Sequence, residues 1–196
     1  MMKLIGITGG IGSGKSAVTQ DLRDRGYFVV CADETARDIV KPGEPGADAL
    51  RAEYGESFFL PDGSLDRRRL AAHVFGYPER VERLNSLMHP IITQSMIENA
   101  QGREGLVFLD AALLIQTQMH KRVDFVWLVT ARMETRIRRV MMRDALSRDE
   151  VLRRIRSQMS DDEMKQYANE VIENDGTLEE LHNKVSALLS QQEYVR

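Results

Sequence analysis

The eight residues Gly9-Gly10-Ile11-Gly12-Ser13-Gly14-Lys15-Ser16 constrain this chain more than any other stretch. They follow the apolar run Leu4-Ile5-Gly6-Ile7 and precede a helical pattern from Ala17 to Arg25. Spacing and setting are those of a Walker A phosphate loop between a strand and a helix. Glycines reach backbone angles closed to other residues and let a phosphate come close. The loop amides then form an anion nest, and the positive end of the next helix adds to its attraction. Lys15 is expected to reach the terminal phosphates, and the Ser16 hydroxyl to hold Mg²⁺.

At 196 residues the chain is long enough for one well-buried core with small insertions. A net charge of −3 gives no global pull toward nucleic acid or an anionic membrane. No apolar run nears the ~20 residues of a membrane span, and Met1-Met2-Lys3 leads into a strand without a signal-peptide pattern. The lone Cys31 has no internal disulfide partner, which suits a cytoplasmic protein. Ending an apolar strand, it is expected to be a buried, inert thiol.

Lys3–Thr8, Tyr27–Cys31, Leu106–Asp110 and Phe125–Val129 read as strands, with a shorter fifth at Glu170–Asn174. Helices are expected over Ser13–Asp24 and from about Glu34 to Val40. Lys41–Gly46 reads as a loop, followed by helices over Ala47–Tyr54, Asp66–Phe75 and Pro78–Gln101. Asp66 is a candidate N-cap. Arg132–Gln158 reads as an Arg-dense helical stretch, and a last helix capped by Thr177 runs to about Gln192. Alternating strands and helices predict an α/β fold: a doubly wound parallel sheet of the phosphate-loop type, with a helical insertion. Ligands of such sheets sit beyond the carboxyl ends of the strands. Those ends carry the phosphate loop, Asp33, Asp110, Arg132 and Asn174.

Asp110 occupies the place of a Walker B carboxylate, able to hold Mg²⁺ directly or through a water shared with Ser16; the bland reading is a cap for the next segment. Asp33 either accepts the proton of an attacking hydroxyl or caps the helix from Glu34. Arg132, Arg136, Arg139 and Arg143 share one helix face at i, i+4, i+7 and i+11. A cationic face over ATP would neutralise charge on a transferring phosphoryl group. The bland reading is a solvated helix with a Glu134–Arg138 i,i+4 pair. His73, His89, His120 and His182 lack metal-ligand spacing. Met141 and Met142 are expected to fill the core.

These residues together resemble the dephospho-CoA kinase family. Gly6–Ser16 resembles its opening, Ala32-Asp33 its next motif, and Leu65-Asp66-Arg67 through His89-Pro90 its middle segment. Arg139, Arg143, Asp144, Leu146, Ser147, Arg154 and Gln158 resemble its lid, and Glu170–Asn174 with Gly176 its last strand. The resemblance implies transfer of the ATP γ-phosphoryl to the ribose 3′-hydroxyl of dephospho-CoA. It implies a core of residues 1–33, 104–131 and 169–196, a helical acceptor domain of residues 34–103, and a lid of residues 132–168. Lys15, Asp33 and Arg139 become the expected catalytic residues. ATP is assigned to Gly10, Ile11, Gly12, Ser13, Gly14, Lys15, Ser16, Ala17, Arg139, Asn174 and Gly176. The acceptor is assigned to Thr8, Asp33, Arg67 and His89, and Mg²⁺ to Ser16 and Asp110. The expected partner is a small-molecule substrate, with no nucleic acid, membrane or obligate protein partner.

Two positions depart from the family pattern. Gln116 closes Ala112-Leu113-Leu114-Ile115-Gln116, where Pro-Leu-Leu-Phe-Glu is usual, and Asn169 stands where Asp is usual. The competing readings are another small-molecule kinase on the same core, such as a nucleoside monophosphate kinase, and a non-catalytic nucleotide-binding module.

Overall fold

A computed structural model describes residues 2–191; the expected helix end at Gln192 lies outside the described residues. In chain order the elements are β1 (Met2–Thr8), α1 (Lys15–Asp24), β2 (Phe28–Cys31), α2 (Ala32–Asp38), α3 (Pro45–Tyr54), α4 (Arg67–Val74) and α5 (Pro78–Ala100). There follow β3 (Gly105–Asp110), β4 (Phe125–Thr130), α6 (Met133–Asp144), α7 (Arg148–Arg156), α8 (Asp161–Lys165), β5 (Glu170–Glu173) and α9 (Leu178–Leu189). The strands form a five-stranded sheet in the order β2-β3-β1-β4-β5. β1 pairs in parallel with β3 and β4, and β4 with β5.

The chain divides into two compact units, Met1–Val29 with Gly102–Arg196, and Val30–Gln101. In the first, Leu4 to Thr8 are buried without interruption, as befits a strand covered on both faces. Ile5, Ile7, Val18, Leu22, Phe108 and Trp127 belong to its main core. A separate cluster of Ile137, Val140, Val151 and Ile155 joins α6 to α7, with Ile11 packed against it. Each fully buried side chain in this cluster contributes ~1.5–3 kcal/mol to holding the two helices together. The second unit is helical around Ile39, Val40, Leu50, Leu70, Val74 and Met88. Among the described residues, no helix is long and apolar enough to cross a membrane.

Several elements differ from expectation for local reasons. α1 starts at Lys15 because Gly14 is left-handed, with φ 89°. α2 starts at Ala32, which places Asp33 inside its first turn. α3 starts at Pro45, since proline suits the first helical position. The Arg-dense stretch is two helices: Ala145 turns left-handed at φ 53°, and a Ser147–Glu150 capping box starts α7. A second box, Ser160–Glu163, starts the unexpected α8. Cys31 is half-buried rather than buried, because β2 is an edge strand. Met142 is 81% exposed, and Met141 is exposed too, because the apolar stripe of α6 is filled by Ile137 and Val140.

Candidate active site

The phosphate loop leaves β1 at Thr8, whose buried hydroxyl donates to the Ala112 carbonyl oxygen at 3.2 Å. Gly14 offers no side chain to cap α1, so the first-turn amides of Lys15 and Ser16 remain for an anion. Gly12 and Gly14 both have positive φ, 78° and 89°. Protein contacts add a second demand there. A Cβ on Gly12 would lie 2.7 Å from the Arg136 carbonyl oxygen, and one on Gly14 would strike the Asn174 amide nitrogen. The glycines therefore serve the packing of the loop as well as phosphate approach.

Lys15 is ion-paired with Asp110, so two groups expected to serve the phosphates and the metal face each other here. Ser16 is exposed beside the loop. Among the described residues, no three His, Cys, Asp or Glu side chains gather to hold a metal. One carboxylate and one hydroxyl suit Mg²⁺, which keeps waters and takes phosphate oxygens as ligands.

The arginines of α6 divide by task. Arg136 is 5% exposed; its Nε donates to the Ile11 carbonyl oxygen at 2.9 Å, and its Nη1 pairs with Asp161 at 3.1 Å. Arg132 sits on Asp175, which also accepts from the Arg132 amide at 2.9 Å and so caps α6 from a distant loop. Burial pushes the Asp175 carboxyl up, but the Thr135 hydroxyl and the Arg132 groups outweigh it and hold it below the usual range. Arg143 is bidentate on Asp144, at 2.7 and 2.9 Å. Arg139 alone of the expected four is half-exposed with its guanidinium against the loop, 3.3 Å from the Ser13 carbonyl oxygen. The expected shared cationic face is thus replaced by separate pairs, because Asp175 and Asp161 from other segments and Asp144 at the end of α6 reach three of its members. The expected Glu134–Arg138 pair is replaced likewise: Glu134 takes Arg148 of α7, at 2.8 Å.

Asn174, assigned to ATP by resemblance, donates its side-chain amide to the Ser13 carbonyl oxygen at 2.9 Å. Its backbone amide donates to Thr130. Gly176 precedes the capping box of α9, where a Cβ would strike Glu180. Gln158 accepts from the Ile11 amide at 2.8 Å, a contact with no local signature because 147 positions separate the two. Arg136–Asp161 and Asp175–Arg132 are silent in sequence for the same reason. Asn169 accepts from the Val126 amide at 2.7 Å and donates its own amide back at 2.9 Å, a task an amide oxygen performs without a charge. Gln116 is exposed in the turns after β3.

In the second unit Asp33 is exposed in the first turn of α2. Cys31 holds the N-cap position and no side chain caps the helix, so the capping alternative for Asp33 fails. Arg67 donates to the Arg37 carbonyl oxygen at 3.2 Å. Arg67 and His89 both line a mostly apolar cavity of about 290 Å³, with Val40, Leu50, Leu70 and Val74. Burial holds the His89 imidazole below its ordinary value. Asp66 caps α4 as expected, accepting from the Arg69 amide at 2.9 Å.

A parallel sheet of this order, with a Lys-Ser phosphate loop after its central strand and a carboxylate ending the neighbouring strand, defines a phosphate-loop kinase. A shikimate kinase from Acinetobacter baumannii has the same fold, with a TM-score of 0.56 at 17% identity over 96% of this chain and 93% of that one. Residues 3–180 match the family model for dephospho-CoA kinase. A dephospho-CoA kinase from Corynebacterium glutamicum is 40% identical over 195 residues, 97% of each chain, and one from Geobacter sulfurreducens is 39% identical over 95% and 97%. A crystal structure from Thermus thermophilus superposes with a TM-score of 0.77 at 41% identity, covering 96% of both chains. The chain belongs to the dephospho-CoA kinase family, and its activity is the ATP-dependent phosphorylation of dephospho-CoA in CoA synthesis.

Proposed function

We propose that the phosphoryl group goes to the ribose 3′-hydroxyl of dephospho-CoA, with ADP as the second product. The observation that carries the division of roles is the loop from Gly9 to Ser16, with uncapped helix amides and an ammonium group at one anion site. Lys15 exchanges Asp110 for the β- and γ-phosphates of ATP. Ser16 and Asp110 hold Mg²⁺, which when bound neutralises phosphate charge. Arg139 adds positive charge from α6, within a lid of residues 132–168. Asp33 accepts the proton of the attacking 3′-hydroxyl while the new O–P bond forms and the bond from Pγ to the bridging oxygen breaks. Arg67 and His89 hold the acceptor within residues 34–103, with the apolar cavity taking its uncharged arm.

The test is an assay of ADP release with ATP, Mg²⁺ and dephospho-CoA, with mass analysis of the product. One phosphate gained at the 3′ position, absent with Lys15→Ala, is the expected result. Gain on a nucleoside monophosphate alone overturns the acceptor, and loss of Mg²⁺ dependence overturns the metal assignment.

A further inference from the structure

We propose that Gln158 is a positioning residue that sets the shape of the phosphate loop from the end of α7. Ile11 is held on both sides of its backbone: its amide donates to Gln158 Oε1 at 2.8 Å, and its carbonyl oxygen accepts from Arg136 Nε at 2.9 Å. Its side chain packs on the α6–α7 cluster. The next carbonyls are taken in the same manner. Gly12 and Ser13 accept from Arg139 at 3.5 and 3.3 Å, and Ser13 also accepts from Asn174 at 2.9 Å. With three successive carbonyl oxygens turned toward protein donors, the loop's peptide planes are oriented before any anion arrives. Such preorganisation is what makes a cradle of dipoles effective.

Gln158 differs from the other holders. Arg136 is buried and paired with Asp161, and Asn174 is buried at the end of β5. Gln158 is exposed, uncharged, and just past the last turn of α7, where its own amide donates to Ile155 at 3.2 Å. Gln158 Oε1 also lies in ordinary contact range of Gly10, 3.4 Å from where a Cβ on that glycine would be, so its hold on the loop is the Ile11 hydrogen bond. The α6–α7 segment therefore cannot shift without carrying Ile11 or breaking this bond. Its contact is with the Ile11 amide, so Gln158 acts through the loop. The inference rests on the loop being the nucleotide cradle.

The test uses the full chain with Gln158→Met, which keeps length and removes the acceptor, and Gln158→Glu, which keeps an acceptor. Hydrogen exchange of the Ile11 amide is measured without nucleotide, followed by ADP affinity and both KM values. In Gln158→Met the Ile11 amide is expected to exchange about tenfold faster. KM for ATP rises about tenfold, the scale of one hydrogen bond. kcat stays within about threefold, as for an interaction made equally in ground and transition states. KM for dephospho-CoA and the melting temperature stay unchanged, and Gln158→Glu restores Ile11 protection. Unchanged exchange and unchanged KM for ATP overturn the proposal. So does a joint rise of both KM values with a lowered melting temperature, which marks a merely structural role. If the unsubstituted chain fails to bind ADP, the cradle reading fails, while Ile11 exchange still decides whether Gln158 holds the loop.

Discussion

The side-chain amide of Asn174 donates to the carbonyl oxygen of Ser13 across 2.9 Å, joining the end of β5 to the phosphate loop 161 positions earlier. Both residues are buried, so neither group has water to fall back on. Asn174→Ala is expected to destabilise the protein by ~1 kcal/mol, the net worth of one hydrogen bond, because the Ser13 carbonyl oxygen keeps Arg139 as a second donor. At ~2–4 °C per kcal/mol for a chain of this size, the melting temperature should fall visibly by calorimetry. Weaker ADP binding by titration should accompany it, because the loop loses a holder.

Lys15 has a nearly buried carboxylate as its partner and phosphates as its proposed ligand. Lys15→Ala should lower turnover at least ~10²-fold, the scale of one charge-stabilising group. Steady-state rates at saturating ATP measure this, and a rate within tenfold of the unsubstituted protein removes Lys15 from the charge-neutralising role.

Asp33 lies exposed in the first turn of α2, and the proposed role makes it the base. Asp33→Asn should cut kcat at least ~10²-fold while leaving ATP affinity unchanged. Near-normal kcat rules out the base assignment.

Thr177 and Glu180 satisfy each other's backbone amides at the start of α9, at 3.2 and 3.0 Å. Thr177→Ala should lower the unfolding free energy by ~1 kcal/mol, read from the urea midpoint with an unchanged m-value. Activity should be unaffected, since the box lies on a helix that carries none of the proposed chemistry.

His89 is held below its ordinary value of 6.5 by burial. The unfolded chain therefore binds its proton first as pH falls. Its contribution to stability is complete above about pH 6.5 and is lost as pH drops toward the lower folded value. His89→Gln should flatten that acid-side decline, measured as urea unfolding free energy from pH 7.5 to 5. An unchanged slope removes His89 as the source.

Much of this protein was determined within short windows of sequence. The phosphate loop, the buried run of β1 from Leu4 to Thr8, the Asp66 cap and the Thr177 box all follow from turn chemistry, apolar periodicity and capping rules that act over about four residues. Asp110 at a strand end was legible in the same way. What α6 does with its arginines was not. Spacing places Arg132, Arg136, Arg139 and Arg143 on one helix face, but Asp175, Asp161 and Asp144 decide where three of them point. Asp175 and Asp161 come from other segments, and their positions depend on how the sheet and helices pack. The grip on Ile11 by Gln158 and Arg136, and on Ser13 by Asn174, was decided by tertiary structure for the same physical reason. A hydrogen bond acts over about 3 Å, whatever the separation in sequence, so only the folded chain selects the partner.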